Sequence, residues 1–489
     1  MEFTLLLDPQ SSVPCYQQIY AALRQKILTG QLAPRQRLPS TRALAQSLGV
    51  ARSTVTQSYD QLLSEGYLQT VVGSGTYVGD QLPETLLHAH STKPVHAESP
   101  PPLVLSAYGQ RLAELVAGPS PEPSTPISFR YGRPALDQMP LGIWRQLLSR
   151  HCRRADWLDY ATDPMGYGPL REAIATYLAQ ARAVQCHPDQ ILITNGTQQA
   201  ISLATQLLVS PGDTVALEEP SYLSARRIFA SQGANLHPIA VDGEGLDVDT
   251  LARLTDSIRL VYVTPSHQFP TGAVLSLPRR LALLAWAQRQ GALLLEDDYD
   301  SEYRYGGRPI PALQGLGSGQ SVLYLGTFSK VLFPALRIGY MVLPLELVKL
   351  FSRAKWLADR QVPTLEQAVL ADFIAEGHLE RHIRRMRSLY DQRRQTMVTA
   401  LQTHFGPRAT ILGDKAGLHM MVRFQTTLPD AELIARAEQV GIGLISAAPQ
   451  YLGKSPGHEF IFSFTELNEG AIANGIARLA TLVSSSLQP

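Results

Sequence analysis

Cysteine is scarce in this chain. Cys15, Cys152 and Cys186 are the only three in 489 residues, and they form no CxxC or Cys/His pair. That scatter argues against a zinc site and a disulfide framework, so no bound metal is expected and a reducing cytoplasm is the simplest setting. Long apolar runs are also lacking. Runs such as Leu281–Ala287 and Ala292–Leu295 are broken by Gln288, Arg289 and Gln290, short of the ~20 residues that a bilayer span needs. The opening MEFTLLLDPQ carries Glu2 and Asp8 and no basic stretch, so neither a secretory signal nor a membrane partner is expected. Net charge is nearly nil at +1, and the whole-chain balance therefore points to no partner. The informative absence is local. No Asp or Glu occurs between Pro9 and Tyr59, a stretch that holds Arg24, Lys26, Arg35, Arg37, Arg42 and Arg52. Such a bias is either a solvated basic face or the footprint of a polyanion.

The pattern of that stretch sharpens the choice. Ile19, Ala22, Leu23 and Ile27 recur at helical spacing. Pro34 to Pro39 break the chain, Ser40 can cap a helix over Thr41–Ser47, and Leu48-Gly49-Val50 makes a tight turn. A second helix is expected from about Arg52, capped by Ser53 or a neighbour, with Val55, Tyr59, Leu62 and Leu63 inward. Two short helices about a glycine turn form a helix-turn-helix. Its second helix would enter a major groove amino end first, bringing Arg52, Ser53, Thr54 and Gln57 to phosphates or base edges. Tyr67–Val71 and Thr76–Val78 flank Gly73-Ser74-Gly75 as a hairpin wing. Ser53 and Thr54 could equally serve as caps, and Arg35 or Arg37 could simply be solvated.

Three zones follow: a reader over residues 11–80, a Pro-containing linker over 81–102, and a long remainder over 103–489. The remainder begins with a helix near Tyr108–Ala117 and a loop with Pro119, Pro121, Pro123 and Pro126. It then alternates apolar runs (Gln190–Thr194, Thr214–Glu218, Ile258–Val263, Ala292–Asp297, Val322–Gly326) with amphipathic stretches. That alternation predicts an α/β fold on a mainly parallel sheet. No internal repeat is visible.

Within this zone Gly326-Thr327-Phe328-Ser329-Lys330 follows an apolar strand. Burial would hold Lys330 as the neutral amine that forms a Schiff base, although a lysine in such a place is more often a surface residue. Thr327, Ser329 and Arg337 could bind a phosphate. Glu296-Asp297-Asp298-Tyr299 ends a second strand, where Asp297 could pair with a protonated pyridine nitrogen and Tyr299 with a phenolic oxygen. Thr194-Asn195-Gly196-Thr197-Gln198 opens a helix, so Thr197, Gln198 and the first backbone amides could cradle a phosphate. Tyr222 could stack on the ring, or be core.

The segment LPSTRALAQSLGVARSTVTQSYDQLLSEGYLQTVVGSGTYV resembles the GntR-type winged helix-turn-helix. The cofactor motifs resemble fold-type-I aminotransferases. TPSHQFPTG, EDDYDSEYRY, GTFSK, AGLHMMV and YATDPMGYGPLREAIATYL together resemble the MocR subfamily of GntR-type regulators, over both domains and most of the chain. The resemblance implies a multi-domain fold: a small α+β winged helix-turn-helix, then an α/β aminotransferase fold type I. Its large part would cover about 160–345, and its small α+β part about 346–489 plus the start. It implies pyridoxal 5'-phosphate as cofactor, Lys330 as the internal-aldimine lysine and Asp297 as the ring-nitrogen partner. Thr197, Gln198, Ser329 and Arg337 would form the phosphate cup, with Tyr222 as the stacking ring. Arg42, Arg52 and the wing tip at Gly75 would meet DNA.

Two positions depart from the aminotransferase pattern. Phe269 stands where an asparagine usually touches the cofactor's phenolic oxygen, with His267 and Gln268 before it; His267 is a candidate replacement. Ile461 stands where many such enzymes have an arginine that clamps a substrate carboxylate, and Arg423 falls in a different strand. Arg384, Arg385, Arg387, Arg393 and Arg394 crowd one expected helix, more readily a solvated face than a DNA contact. The implied function is a DNA-binding transcriptional regulator, a head-to-tail homodimer that senses an amine or amino-acid-like effector, or the cofactor itself. The alternative is an active aminotransferase with an accessory reader.

Overall fold

The computed structural model describes residues 5, 7–83, 103–115, 125–153, 159–160, 163–255, 257–306, 310–317 and 319–485, the side chains of 484 and 485 excepted. The expected linker lies outside the described residues from 84 onward, as does 116–124 of the Pro-rich loop. The chain divides into two compact units, Met1–Val104 and Leu105–Pro489. Among the described residues no helix is long and apolar enough to cross a membrane.

The first unit packs helices α1 (Cys15–Leu28), α2 (Thr41–Leu48) and α3 (Arg52–Ser64) against a hairpin, β1 (Leu68–Val71) and β2 (Gly75–Val78). Ile19, Leu23, Ile27, Leu44, Val55, Tyr59 and Leu62 form its core. Leu5 and Leu82 join that core from outside 11–80, so the folded unit is slightly larger than expected. Ser40 Oγ accepts from the Ala43 amide at 3.2 Å, fixing the start of α2. Gly49, at φ 65°, ends it in the left-handed conformation that glycine adopts without strain. The start of α3 departs from expectation. Its cap is Ala51, with no side-chain hydrogen bond, and Ser53 sits inside the first turn.

The second unit is built on an eight-stranded sheet. After β3 (Ile127–Ser128), its strands are β4 (Ile191–Thr194), β5 (Thr214–Glu219), β6 (Asn235–Asp242), β7 (Gly245–Leu246), β8 (Ile258–Val263), β9 (Leu293–Asp298), β10 (Val322–Thr327) and β11 (Gly339–Val342). Their order is β4-β11-β10-β9-β8-β5-β6-β7. The run from β10 through β9, β8 and β5 to β6 is parallel; β11 lies antiparallel between β10 and β4. Helices cover both faces, so β4 and β10 are buried along their whole length. The expected helix near 108–117 is Ala107–Glu114, capped by Ser106.

A second sheet, formed by β12 (Ala409–Leu412), β13 (His419–Phe424), β15 (Ile445–Ser446) and β16 (Glu459–Ser463), marks the small part. β14 (Ile442–Gly443) pairs instead with β3, tying the start of the unit to the small part. Phe351 of helix Leu345–Asp359 and Phe373 of helix Thr364–Ala375 bury their rings in the clusters that back the large sheet. In helix His378–Phe405, Leu379 and Ile383 join the core behind the large sheet, while Met386 and later residues join the small-part core together with Ile127, Phe129, Tyr303 and Tyr305. The basic side chains of that helix are committed within the molecule. Arg384 pairs with Glu380, Arg387 donates to the Glu302 carbonyl, Arg393 to the Thr465 carbonyl, and Arg394 pairs with Asp391.

Candidate functional site

In a parallel α/β sheet the strands deliver side chains at their carboxyl ends. Here β9 ends in Asp297-Asp298, β10 runs into Ser329-Lys330, and β4 leads to helix Thr197–Leu208. Together they line a cavity of about 160 Å³ with Thr197, Gln198, Tyr222, Asp297, Tyr299, Thr327, Ser329, Lys330 and Arg337 on its walls. All but one of the expected cofactor residues are thus brought to one place. The exception is His267, which is buried but does not line the cavity. Tyr299 stands between: its hydroxyl donates to the His267 carbonyl at 2.9 Å and lies 3.0 Å from the ring Nδ1. His267 Nδ1 also meets Asp300 at 3.1 Å. His267 therefore lies behind Tyr299 and Asp300, with its Nε2 buried without a partner.

Strand alternation separates the two aspartates of β9. Asp298 points away from the cavity, where Arg182 Nε and the Tyr324 hydroxyl donate to its Oδ2 at 2.7 and 2.6 Å. Asp297 points in. The Tyr262 hydroxyl donates to its Oδ2 at 2.7 Å, and its Oδ1 is buried without a partner. Burial, opposed by that hydrogen bond, raises the Asp297 carboxyl to about 6. An unpaired buried carboxylate oxygen is costly, and a protonated ring nitrogen is the group it lacks.

The opposite end suits a phosphate. Gly196 precedes the helix at φ 77° without a side-chain cap, leaving the first-turn amides open. A Cβ at Gly196 would lie 2.9 Å from the Arg337 guanidinium. Arg337 donates to the Asn195 carbonyl at 2.9 Å. The Ser329 hydroxyl is buried without a partner, while Thr327 Oγ1 accepts from the Ser329 amide at 3.1 Å. Gln198 donates to the Tyr222 hydroxyl at 3.2 Å, fixing that ring. Lys330 Nζ donates to the Gly132 carbonyl at 2.7 Å, and burial lowers its pKa against the pull of Asp300 and Asp297. These orphaned groups, the open helix start and the desolvated lysine match the ring nitrogen, phosphate and aldehyde of pyridoxal phosphate.

Several wall residues carried no role in the sequence reading: Tyr131, Gly132, Tyr262, Thr264, Asp300 and His419. Tyr262 and Thr264 were within reach, since they close the strand beside Asp297. Tyr131 and Gly132 lie in a loop with no strand or helix signature. His419 lies in AGLHMMV and packs 5.2 Å from Phe269 and 4.6 Å from His267, ring centre to ring centre. Phe269 itself lines the cavity. Gln268 does not, because its amide donates to the Pro220 and Phe269 carbonyls at 2.7 Å each. Ile461 is fully buried beside Met421 and Phe269. Arg423 is bound to Glu459 at 2.6 Å.

In the first unit Arg42, Arg52, Ser53 and Gln57 are exposed and Thr54 half-buried. Arg52 Nε donates to Thr41 Oγ1 at 3.3 Å, which holds the base of its side chain across the turn. The start of α3 has no side-chain cap, and the Thr54 amide donates to the Ala51 carbonyl at 3.1 Å, which leaves the Arg52 and Ser53 amides as the ones a phosphate could meet. Gly75, at φ 130°, begins the return strand of the wing, whose tip exposes Val72. Arg35 is tied to Asp80 at 2.7 Å and Arg24 to the Tyr67 hydroxyl at 2.7 Å, so these two belong to the fold.

Residues 15–78 match the gntR family of bacterial regulatory proteins, and residues 156–447 match aminotransferase class I and II. The chain is 38% identical over 479 residues to the probable rhizopine catabolism regulatory protein MocR of Rhizobium meliloti, covering 97% of this chain and 95% of that one. It is 30% identical over 496 residues to the pyridoxine biosynthesis transcriptional regulator PdxR of Corynebacterium glutamicum, covering 99% of each. The kynurenine aminotransferase of Pyrococcus horikoshii, solved with PMP, superposes with a TM-score of 0.70 at 28% identity over 79% of this chain and 96% of that one. The chain belongs to the MocR-type GntR regulators, transcription regulators that join a DNA-binding winged helix-turn-helix to an aminotransferase-like domain for pyridoxal phosphate.

Proposed function

We propose that this regulator senses an amine in the Lys330 cavity and answers with a changed affinity for its operator. One observation carries the reading: Lys330, its pKa lowered by burial, shares a cavity with the unpartnered Asp297 Oδ1 and Ser329 Oγ. Bound there, pyridoxal phosphate supplies a carbonyl carbon that condenses with amines and a ring that withdraws electrons. Lys330 Nζ would be the protein amine that holds that carbon, and an incoming amine would compete with it. Asp297 Oδ1 would accept a hydrogen bond from the protonated ring nitrogen, with the Tyr262 hydroxyl donating to the other oxygen. Ser329, Arg337, Thr197, Gln198 and the helix amides hold the phosphate, and Tyr222 covers a ring face. Arg42, Arg52, Ser53, Thr54, Gln57 and Gly75 contact the operator. Two copies of the chain act as a homodimer in the cytoplasm, presenting two readers.

The test is to load the purified chain with cofactor, record its visible band, and add amines while following binding to the DNA upstream of its own gene. Amine-dependent change in both signals supports the sensor. A band that never forms contradicts it. Turnover to a keto product without operator binding would favour the aminotransferase.

A further inference from the structure

The cavity that holds the cofactor also limits what can join it. Among the described residues, four charged side chains face it: Asp297, Asp300, Lys330 and Arg337. Arg337 stands at the phosphate end, against Gly196 and the Asn195 carbonyl. Lys330 and Asp297 serve the cofactor. The remaining charge is the carboxylate of Asp300, fixed by His267 Nδ1 at 3.1 Å and the Leu418 amide at 3.0 Å.

The wall facing the cofactor is uncharged. Tyr131 and Phe269 pack 5.0 Å apart, ring centre to ring centre, with Met421 and Ile461 buried behind Phe269. His419 completes this wall. Burial, with His267 and Lys330 nearby, drives its pKa well down, so the ring is neutral. Its Nε2 lies 3.3 Å from the Pro270 carbonyl, which places the proton there and leaves Nδ1 an acceptor. Three arginines near this wall have partners of their own: Arg423 with Glu459 at 2.6 Å, Arg130 with Glu466 at 3.2 Å, and Arg226 with the Pro449 carbonyl at 2.7 Å. A carboxylate carried in beside the amine would lose water and meet an acceptor, aromatic edges and Asp300, while the cations that line the cavity among the described residues, Lys330 and Arg337, serve the cofactor.

Resting on the sensor reading, we infer that the effector is a primary amine with an uncharged, largely apolar body and no carboxylate. Tyr131 and Phe269 pack its body, His419 Nδ1 accepts from any hydroxyl it carries, and Asp300 disfavours an anionic substituent.

The cofactor-loaded full chain decides this with matched probes: phenethylamine against L-phenylalanine, and isoamylamine against L-leucine, compared at equal free-amine concentration. The readouts are the visible band and operator affinity. Each carboxylate-free amine should reach half-saturation at least tenfold lower than its amino acid. Equal or tighter binding of the amino acids overturns the inference and leaves the sensor standing. No response to any of the four overturns the sensor reading and the inference with it. His419→Arg, which adds a cation to the wall, should shift the preference at least tenfold toward the amino acids; an unchanged preference in a variant that keeps its band contradicts the assignment of that wall. Should the variant not hold cofactor, the wild-type comparison decides alone.

Discussion

The two units use charge in opposite ways. The reader keeps the cations proposed to meet DNA in water: Arg42 and Arg52 are exposed, and α3 starts without a side-chain cap. The cofactor unit takes its charges out of water. Asp297 is raised to about 6, and Glu218, Glu296 and Glu302 to about 7, each chiefly by burial. A polyanion is attracted at long range by solvated charge, at an affinity set by salt. A small cofactor is held by desolvated groups whose partners are missing until it arrives. The first mode tolerates substitutions one by one; the second depends on each buried partner.

That contrast orders the expected effects. The largest is Lys330→Ala: the visible band should vanish, while operator affinity without effector stays within a few-fold. Absorbance and fluorescence anisotropy on one preparation check this, and failure to bind DNA would break the division of labour. Next, Arg52→Ala should weaken operator binding by about 10- to 100-fold, on the order of 1–3 kcal/mol, and lower the salt slope by about 1 for each phosphate no longer neutralised. Its band should not move. A smaller effect is expected of Tyr262→Phe, which removes the bond to Asp297 Oδ2. Cofactor affinity should fall several-fold, on the order of 1 kcal/mol, as read by equilibrium dialysis.

The smallest effect concerns pH. The four raised carboxyls bind protons more tightly folded than unfolded. Their contribution is therefore full below about pH 4 and is lost as pH rises through about 6 to 7. Thermal melts of cofactor-free protein should show the second unit losing several degrees of Tm between pH 5 and 8. Asp297→Asn should flatten that slope, and so should bound cofactor, because a protonated ring nitrogen lets Asp297 stay ionised. An identical slope in wild type and variant would remove Asp297 from the account.

How far the sequence could be read follows the same division. The reader is local. Ser40, the Gly49 turn, α3 and the wing lie within forty residues, and side chains at helical spacing point where spacing says. The misplaced cap at Ser53 shows the limit, because cap identity depends on where the turn releases the chain. In the second unit, Lys330, Asp297 and Thr197, which follow or end apolar strands in the sequence, line one cavity. Tyr131, Gly132 and His419 were not legible, since the fold brings them from a loop and from the small part. His267 misled for the converse reason. It is close in sequence to Phe269, yet Tyr299 and Asp300 hold it behind the wall. Apolar helices do not declare which sheet they cover, and Phe351 and Phe373, past 345, pack in the clusters that back the large sheet.

The central claim is that one chain couples the Lys330 cavity to the reader. Its most direct test is a pair of titrations on the cofactor-loaded chain with phenethylamine, one with saturating operator and one without. The account predicts that operator shifts the amine midpoint, and that amine shifts operator affinity by the same factor. Coincident amine titrations, with a band that changes but operator affinity that does not, would contradict it.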